Sequence, residues 1–78
     1  MTGWVDCPRN GEVMFQRLVR DDGKVLGCIM RFYDTGPTYA AALGRRLGPC
    51  SPRNISEPTG EQCDDAARGA VERALGVK

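Results

Sequence analysis

Histidine is absent from this 78-residue chain. With it go the Ser-His-Asp and Cys-His constellations, imidazole metal ligands and the side chain that usually shuttles protons near neutral pH. An excess of either charge is also missing: 11 Lys and Arg against 10 Asp and Glu leave a net charge of +1. That supplies neither the basic field of a typical nucleic-acid binder nor the acidity of a DNA mimic. No apolar run is long enough to span a membrane. The opening Met1-Thr2-Gly3-Trp4-Val5-Asp6 has neither the basic start nor the apolar stretch of a secretory signal, so the expected location is the cytoplasm. Thiols stay reduced there. Cys7, Cys28, Cys50 and Cys63 lack the C-x-x-C pairs that prepare a zinc site, and they read as small apolar residues in preference to metal ligands or disulfides.

Other chemistry is equally poorly served. Asp21-Asp22 and Asp64-Asp65 occupy a turn and a first helical turn, where acids serve structure. Lys24 flanks a turn and Lys78 ends the sequence, poor settings for a desolvated nucleophilic amine. The 10 glycines are scattered over turns and caps and form no phosphate-binding loop. The expectation is a single domain, 1–78, that is not an enzyme and needs no cofactor or metal. A chain this short has little core to spare for a deep pocket.

Asp22-Gly23 between two apolar runs is the strongest local signal and predicts a type I′ hairpin. Its register sets Val19 opposite Leu26, Arg17 opposite Cys28, Phe15 opposite Met30 and Val13 opposite Phe32. Seven of these eight are apolar, so this face is expected to point inward. The turn residues Pro8-Arg9-Asn10-Gly11 return a leading edge strand that sets Trp4 opposite Arg17, where the indole would shelter the guanidinium. Met14, Phe15, Leu18 and Val19 are also spaced for one face of a helix between Asn10 and Gly23, and that alternative stays open beside the sheet.

After Tyr33 the period changes. Tyr39, Leu43 and Leu47 recur every four residues between Pro37 and Gly48-Pro49, which predicts a short helix. A proline- and serine-bearing loop follows from Cys50 to Pro58. Thr59-Gly60-Glu61-Gln62 then matches a capping box, and Cys63, Ala67, Ala70, Val71, Ala74 and Leu75 mark one side of a second helix, closed by Gly76. Asp64 and Arg68 are expected to pair on its other side. The fold class is therefore α+β: a small antiparallel three-stranded meander (strands about 4–7, 12–20 and 25–33) followed by two short helices (about 38–47 and 60–75).

On this register the outward sheet face shows Met14, Leu18, Ile29 and Tyr33 beside Arg20 and Arg31. Aromatic, Met and Arg residues together have the composition of a protein interface. Helices on both sheet faces, or a homodimer through this face, would also account for it. As a second option, Arg17, Lys24, Arg45 and Arg46 could contact phosphates. With Phe15 and Phe32 expected to point inward, however, Tyr33 is left as the exposed stacking ring. Strands followed by a helix resemble part of a double-stranded-RNA-binding domain, yet its leading helix and the lysine-rich start of its last helix are missing.

The Arg20-Asp21-Asp22-Gly23-Lys24 hairpin, followed by Asp34-Thr35-Gly36 and the alanine-rich Ala40-Ala41-Ala42, resembles the architecture of small phage-encoded anti-CRISPR inhibitors of host defence. The resemblance covers roughly residues 12–47 and transfers no site residue. It implies a rigid domain that covers a Cas effector subunit in the cytoplasm of a bacterial host cell and blocks access sterically, with another protein as partner; the lack of a spanning apolar run separately argues for no membrane partner.

Overall fold

The computed structural model describes residues 2–76, and Lys78 lies outside them. The sheet is a five-stranded antiparallel meander whose strands are β1 (Gly3–Asp6), β2 (Met14–Val19), β3 (Val25–Arg31), β4 (Thr38–Ala42) and β5 (Arg45–Cys50), adjacent in chain order. One helix, α1 (Gly60–Leu75), crosses a single face of the sheet and contacts β3, β4 and β5. No helix among the described residues is long and apolar enough to cross a membrane.

The β2–β3 hairpin forms as a hairpin, not a helix. Its turn holds one residue more than a type I′ loop, because Arg20 pairs with Lys24 and Gly23 adopts φ +87°, the three-residue loop with a left-handed glycine. A bulge between Leu18 and Val19 absorbs the extra residue. Val19 therefore faces Val25 and not Leu26, whereas Arg17 opposite Cys28 and Phe15 opposite Met30 stand as the sequence predicts. In the first hairpin Trp4 lies opposite Leu18 and Val5 opposite Arg17, one place from the expected register. A one-residue shift sends each side chain to the other face. Trp4 accordingly packs against the core and its Nε1 donates to Glu72 on α1 at 3.1 Å.

The helix expected over 38–47 is a third hairpin. Leu43 and Gly44 both have positive φ, 52° and 77°, as a type I′ turn demands, and Gly48 has φ +86° at a bulge. None of these backbone states fits a helix interior. Alanine was the source of the error: Thr38, Ala40 and Ala42 are buried while Tyr39 is exposed, a period of two that three consecutive alanines conceal.

The C-terminal helix matches expectation at both ends. The Thr59 hydroxyl accepts from the Gln62 N–H at 3.2 Å, and the Gln62 amide oxygen accepts from the Thr59 N–H at 2.8 Å. Gly76 closes the helix in the left-handed region. Its inner side sets Ala67 and Val71 against Leu18, Leu26, Ile29, Ala40 and Ala42 and buries Cys63 beside Gly36, each fully buried Val, Ile or Leu contributing about 1.5–3 kcal/mol.

The covered face is the reverse of the one expected. Leu18 and Ile29 are 2% and 0% exposed beneath α1, while Phe32 and Tyr39 face away from it. Small residues decide this. A Cβ on Gly27 would stand 2.6 Å from Val71 Cγ1, and one on Gly36 would collide with the Cys63 thiol. The helix approaches closely over the face that carries Gly27, Ala40 and Ala42; the bulkier side chains of Met30, Phe32 and Tyr39 on the other face would hold it off.

The turn at Leu43 yields a direct test. An L-residue pays about 1–2 kcal/mol for left-handed backbone, and Asn tolerates it. Leu43 is 62% exposed, so Leu43→Asn should raise stability by about 1 kcal/mol, read as a higher urea midpoint at unchanged slope.

Candidate functional site

The sequence singled out six residues as a protein-contact patch, and the structure separates them. Leu18, Ile29 and Arg31 are buried, so these three cannot meet a partner while α1 is docked, and Met14 is half-buried, packed against the core. Arg20 and Tyr33 are exposed. Arg20 is engaged in the hairpin turn, where its Nε and Nη2 donate to Asp22 at 3.1 and 2.6 Å. Tyr33 lies just past β3, 73% exposed, and its carbonyl accepts from Arg31 Nη1 at 2.7 Å.

Arg31 is instead the anchor of the helix. Its Nε and Nη2 donate to the two oxygens of Asp64 at 2.9 and 3.0 Å, and the Thr38 hydroxyl donates to Asp64 Oδ1 at 2.6 Å. The hydrogen bonds to Asp64 raise the guanidinium pKa further above its ordinary value. Asp64 thus pairs across the sheet, and Arg68 donates to Asp65 and to Gln16 Oε1. Gly60 lies flat on the guanidinium, where a Cβ would clash.

The helix-free face is the surface left to meet another molecule. Antiparallel pairing lines up two rows across it. One row is Arg17, Cys28, Ala41 and Arg46; the next is Phe15, Met30, Tyr39 and Pro49. Small side chains in the middle of the first row and large ones in the second leave a shallow hollow of about 320 Å³ lined by Cys28, Met30, Phe32, Tyr39, Ala41 and Arg46. Phe32 and Tyr39 meet edge to face, centroids 5.9 Å apart at 62°, and are 41% and 42% exposed.

The cations of this face are partly pre-ordered. The guanidinium carbons of Arg9 and Arg17 lie 5.0 and 5.4 Å from the centroid of the Phe15 ring, which they cover. The expected Trp4–Arg17 contact is replaced by this one. Glu12 approaches Arg9 at 4.0 Å. No carboxylate among the described residues pairs with Arg17 or Arg46.

Of the arginines and lysine proposed for phosphate contact, Arg17 and Arg46 share the helix-free face, Arg45 lies on edge strand β5 and Lys24 in the β2–β3 turn. Sequence reasoning missed Phe32, Tyr39 and Arg9 because it assigned the first to the core, the second to a helix and the third to a turn. The cysteines are free. Burial pushes the Cys28 and Cys50 thiols above their ordinary value, which disfavours the nucleophilic thiolate. No protein-family model, curated protein or solved structure matches the chain.

Two predictions follow from the pairs. Breaking Arg31–Asp64 with Arg31→Ala should cost about 3–5 kcal/mol, whereas replacing both partners with apolar residues, Arg31→Met with Asp64→Leu, should recover most of the loss; urea denaturation of the three proteins measures this. Asp22 is held down to about 2, first by the Arg20 hydrogen bonds and then by the Lys24 N–H. Because its folded value is depressed, the pair's contribution is present above the ordinary 3.8 and is lost as pH falls through 2. In an NMR titration, Arg20→Ala should return the Asp22 midpoint toward 3.8.

Proposed function

We propose that the chain is a non-enzymatic binding domain that acts by covering the surface of a partner protein, in the manner its resemblance to anti-CRISPR inhibitors implies, and that its contact surface is the helix-free sheet face. The observation that carries this reading is the make-up of that face: two exposed rings, Phe32 and Tyr39, beside Met30 and the carboxylate-free Arg17 and Arg46. Aromatic, Met and Arg residues are the types enriched where proteins meet. A sheet backed by a helix is also a rigid platform, so little ordering cost accompanies docking. The acids support the non-enzymatic part: Asp64 is consumed by Arg31 and Thr38, Asp22 by Arg20, and Asp65 by Arg68.

Single-stranded nucleic acid is the second candidate partner, because Phe32 and Tyr39 share their face with Arg17 and Arg46, a combination that can stack bases and hold phosphates.

The test is a double substitution on the face, Phe32→Ser with Tyr39→Ser, against a control on the exposed side of α1, Glu61→Lys. Both are surface changes and should leave the thermal midpoint within a few degrees. A protein captured from bacterial lysate, identified by mass spectrometry and then purified, should lose at least about 30-fold in affinity for the face variant, the loss of about 2 kcal/mol typical of a central aromatic contact, and keep its affinity for the control. Equal binding to both variants would remove the helix-free face as the contact surface. Tight binding to a fifteen-nucleotide oligo-dT that collapses between low and moderate salt would favour nucleic acid.

A further inference from the structure

Taking the helix-free face as the docking surface, we infer that its partner presents an extended acidic segment of the form acid-x-apolar-x-acid. The central apolar side chain enters the hollow and the two carboxylates meet Arg17 and Arg46. The pairing ladder sets the dimensions. Arg17, Cys28, Ala41 and Arg46 stand side by side on β2, β3, β4 and β5. Strands lie about 4.8 Å apart, so the backbone positions of the two arginines are separated by about 14 Å, and each long side chain adds reach around that span.

An extended chain rises about 3.3 Å per residue and points every second side chain the same way, so positions i, i+2 and i+4 of a segment share one face across about 13 Å. Such a segment, laid across the strands, brings its outer carboxylates over β2 and β5, within reach of the Arg17 and Arg46 side chains, and its middle side chain over Cys28 and Ala41. Those are the small residues that form the floor of the hollow, with Met30, Phe32 and Tyr39 as its wall. Arg17 is already steadied on the Phe15 ring, and an arginine–carboxylate pair adds direction as well as attraction.

Other occupants fit this row less well. A second copy docked face to face would bring its own Arg17 and Arg46 against this positive surface. A second copy's helix offers Glu61 and Asp65, but one helical turn brings these to about 6 Å from one another, and Asp65 is held by Arg68. For a nucleic acid strand, the rings stand at 62° to each other and so do not form parallel shelves for successive bases.

The experiment is selection of a displayed random twelve-residue peptide library on the intact protein, followed by fluorescence anisotropy with the enriched peptide, with a fifteen-nucleotide oligo-dT and with the protein alone over a concentration series. Enriched peptides should carry two acids four positions apart around a large apolar residue. Their affinity should fall at least tenfold in Arg17→Glu with Arg46→Glu, and also in Ala41→Trp, which fills the hollow; circular dichroism melts confirm that both variants are folded. Neutral or basic peptides that still lose binding in Ala41→Trp would overturn the acidic segment while leaving the face as the docking surface. Oligo-dT bound more tightly than any peptide, or salt-sensitive self-association, would assign the face to nucleic acid or to a second copy and overturn the inference. Indifference of every ligand to these substitutions would overturn both the inference and the reading it rests on.

Discussion

One buried ion pair decides how this protein is assembled. Arg31 lies on the sheet and Asp64 on the helix, 33 residues apart, and both side chains are less than one-tenth exposed. A charge in such a place is tolerable only if its hydrogen-bonding capacity is met. Here Nε, Nη1 and Nη2 of the guanidinium all donate, and the carboxylate accepts from Thr38 as well. Docking α1 on the opposite sheet face would separate Asp64 from Arg31 and Thr38, which point to the covered side. The pair therefore acts chiefly as a selector between two ways of closing the same elements. Its net contribution to stability is secondary, since apolar replacements of similar shape often serve as well.

The small residues carry the same choice into the packing. Gly27 admits Val71, Gly36 admits Cys63 and Gly60 lies on the guanidinium, so the helix rests close to the sheet along one row. Close packing on that side leaves the large side chains on the other. Phe15 is sheltered there by Arg9 and Arg17 rather than by the helix, while Phe32, Tyr39 and Met30 border an open hollow. The aromatic and arginine-bearing composition of the helix-free face is thus a consequence of where the helix sits.

Sorting of charge follows from the same arrangement. A total of +1 averages over an uneven distribution, because Arg9, Arg17 and Arg46 gather on or beside the helix-free face with Glu12 as the neighbouring acid, while α1 carries Glu61, Asp64, Asp65 and Glu72 against Arg68 and Arg73. The helix-free side of the sheet is therefore more positive than the net charge implies, and such a surface attracts anionic groups.

Interactions completed within a few residues were legible from the amino-acid order. The turn at Gly23, the pairing of Phe15 with Met30, and α1 with its Thr59–Gln62 cap and Gly76 stop are all of this kind. The hairpin over 38–50 was not, because alanine suits strand and helix alike and only the positive φ of Leu43, Gly44 and Gly48 separates the two. The choice of covered face was hidden as well. Counting apolar residues favours burying Phe15, Met30 and Phe32, yet the outcome rests on whether a helix can come close and on whether Arg31 and Asp64 find each other. Local order thus determined most of the elements, and tertiary closure alone decided which side of the sheet remains free for a partner, since that is a comparison between two packings whose deciding contacts join distant parts of the chain.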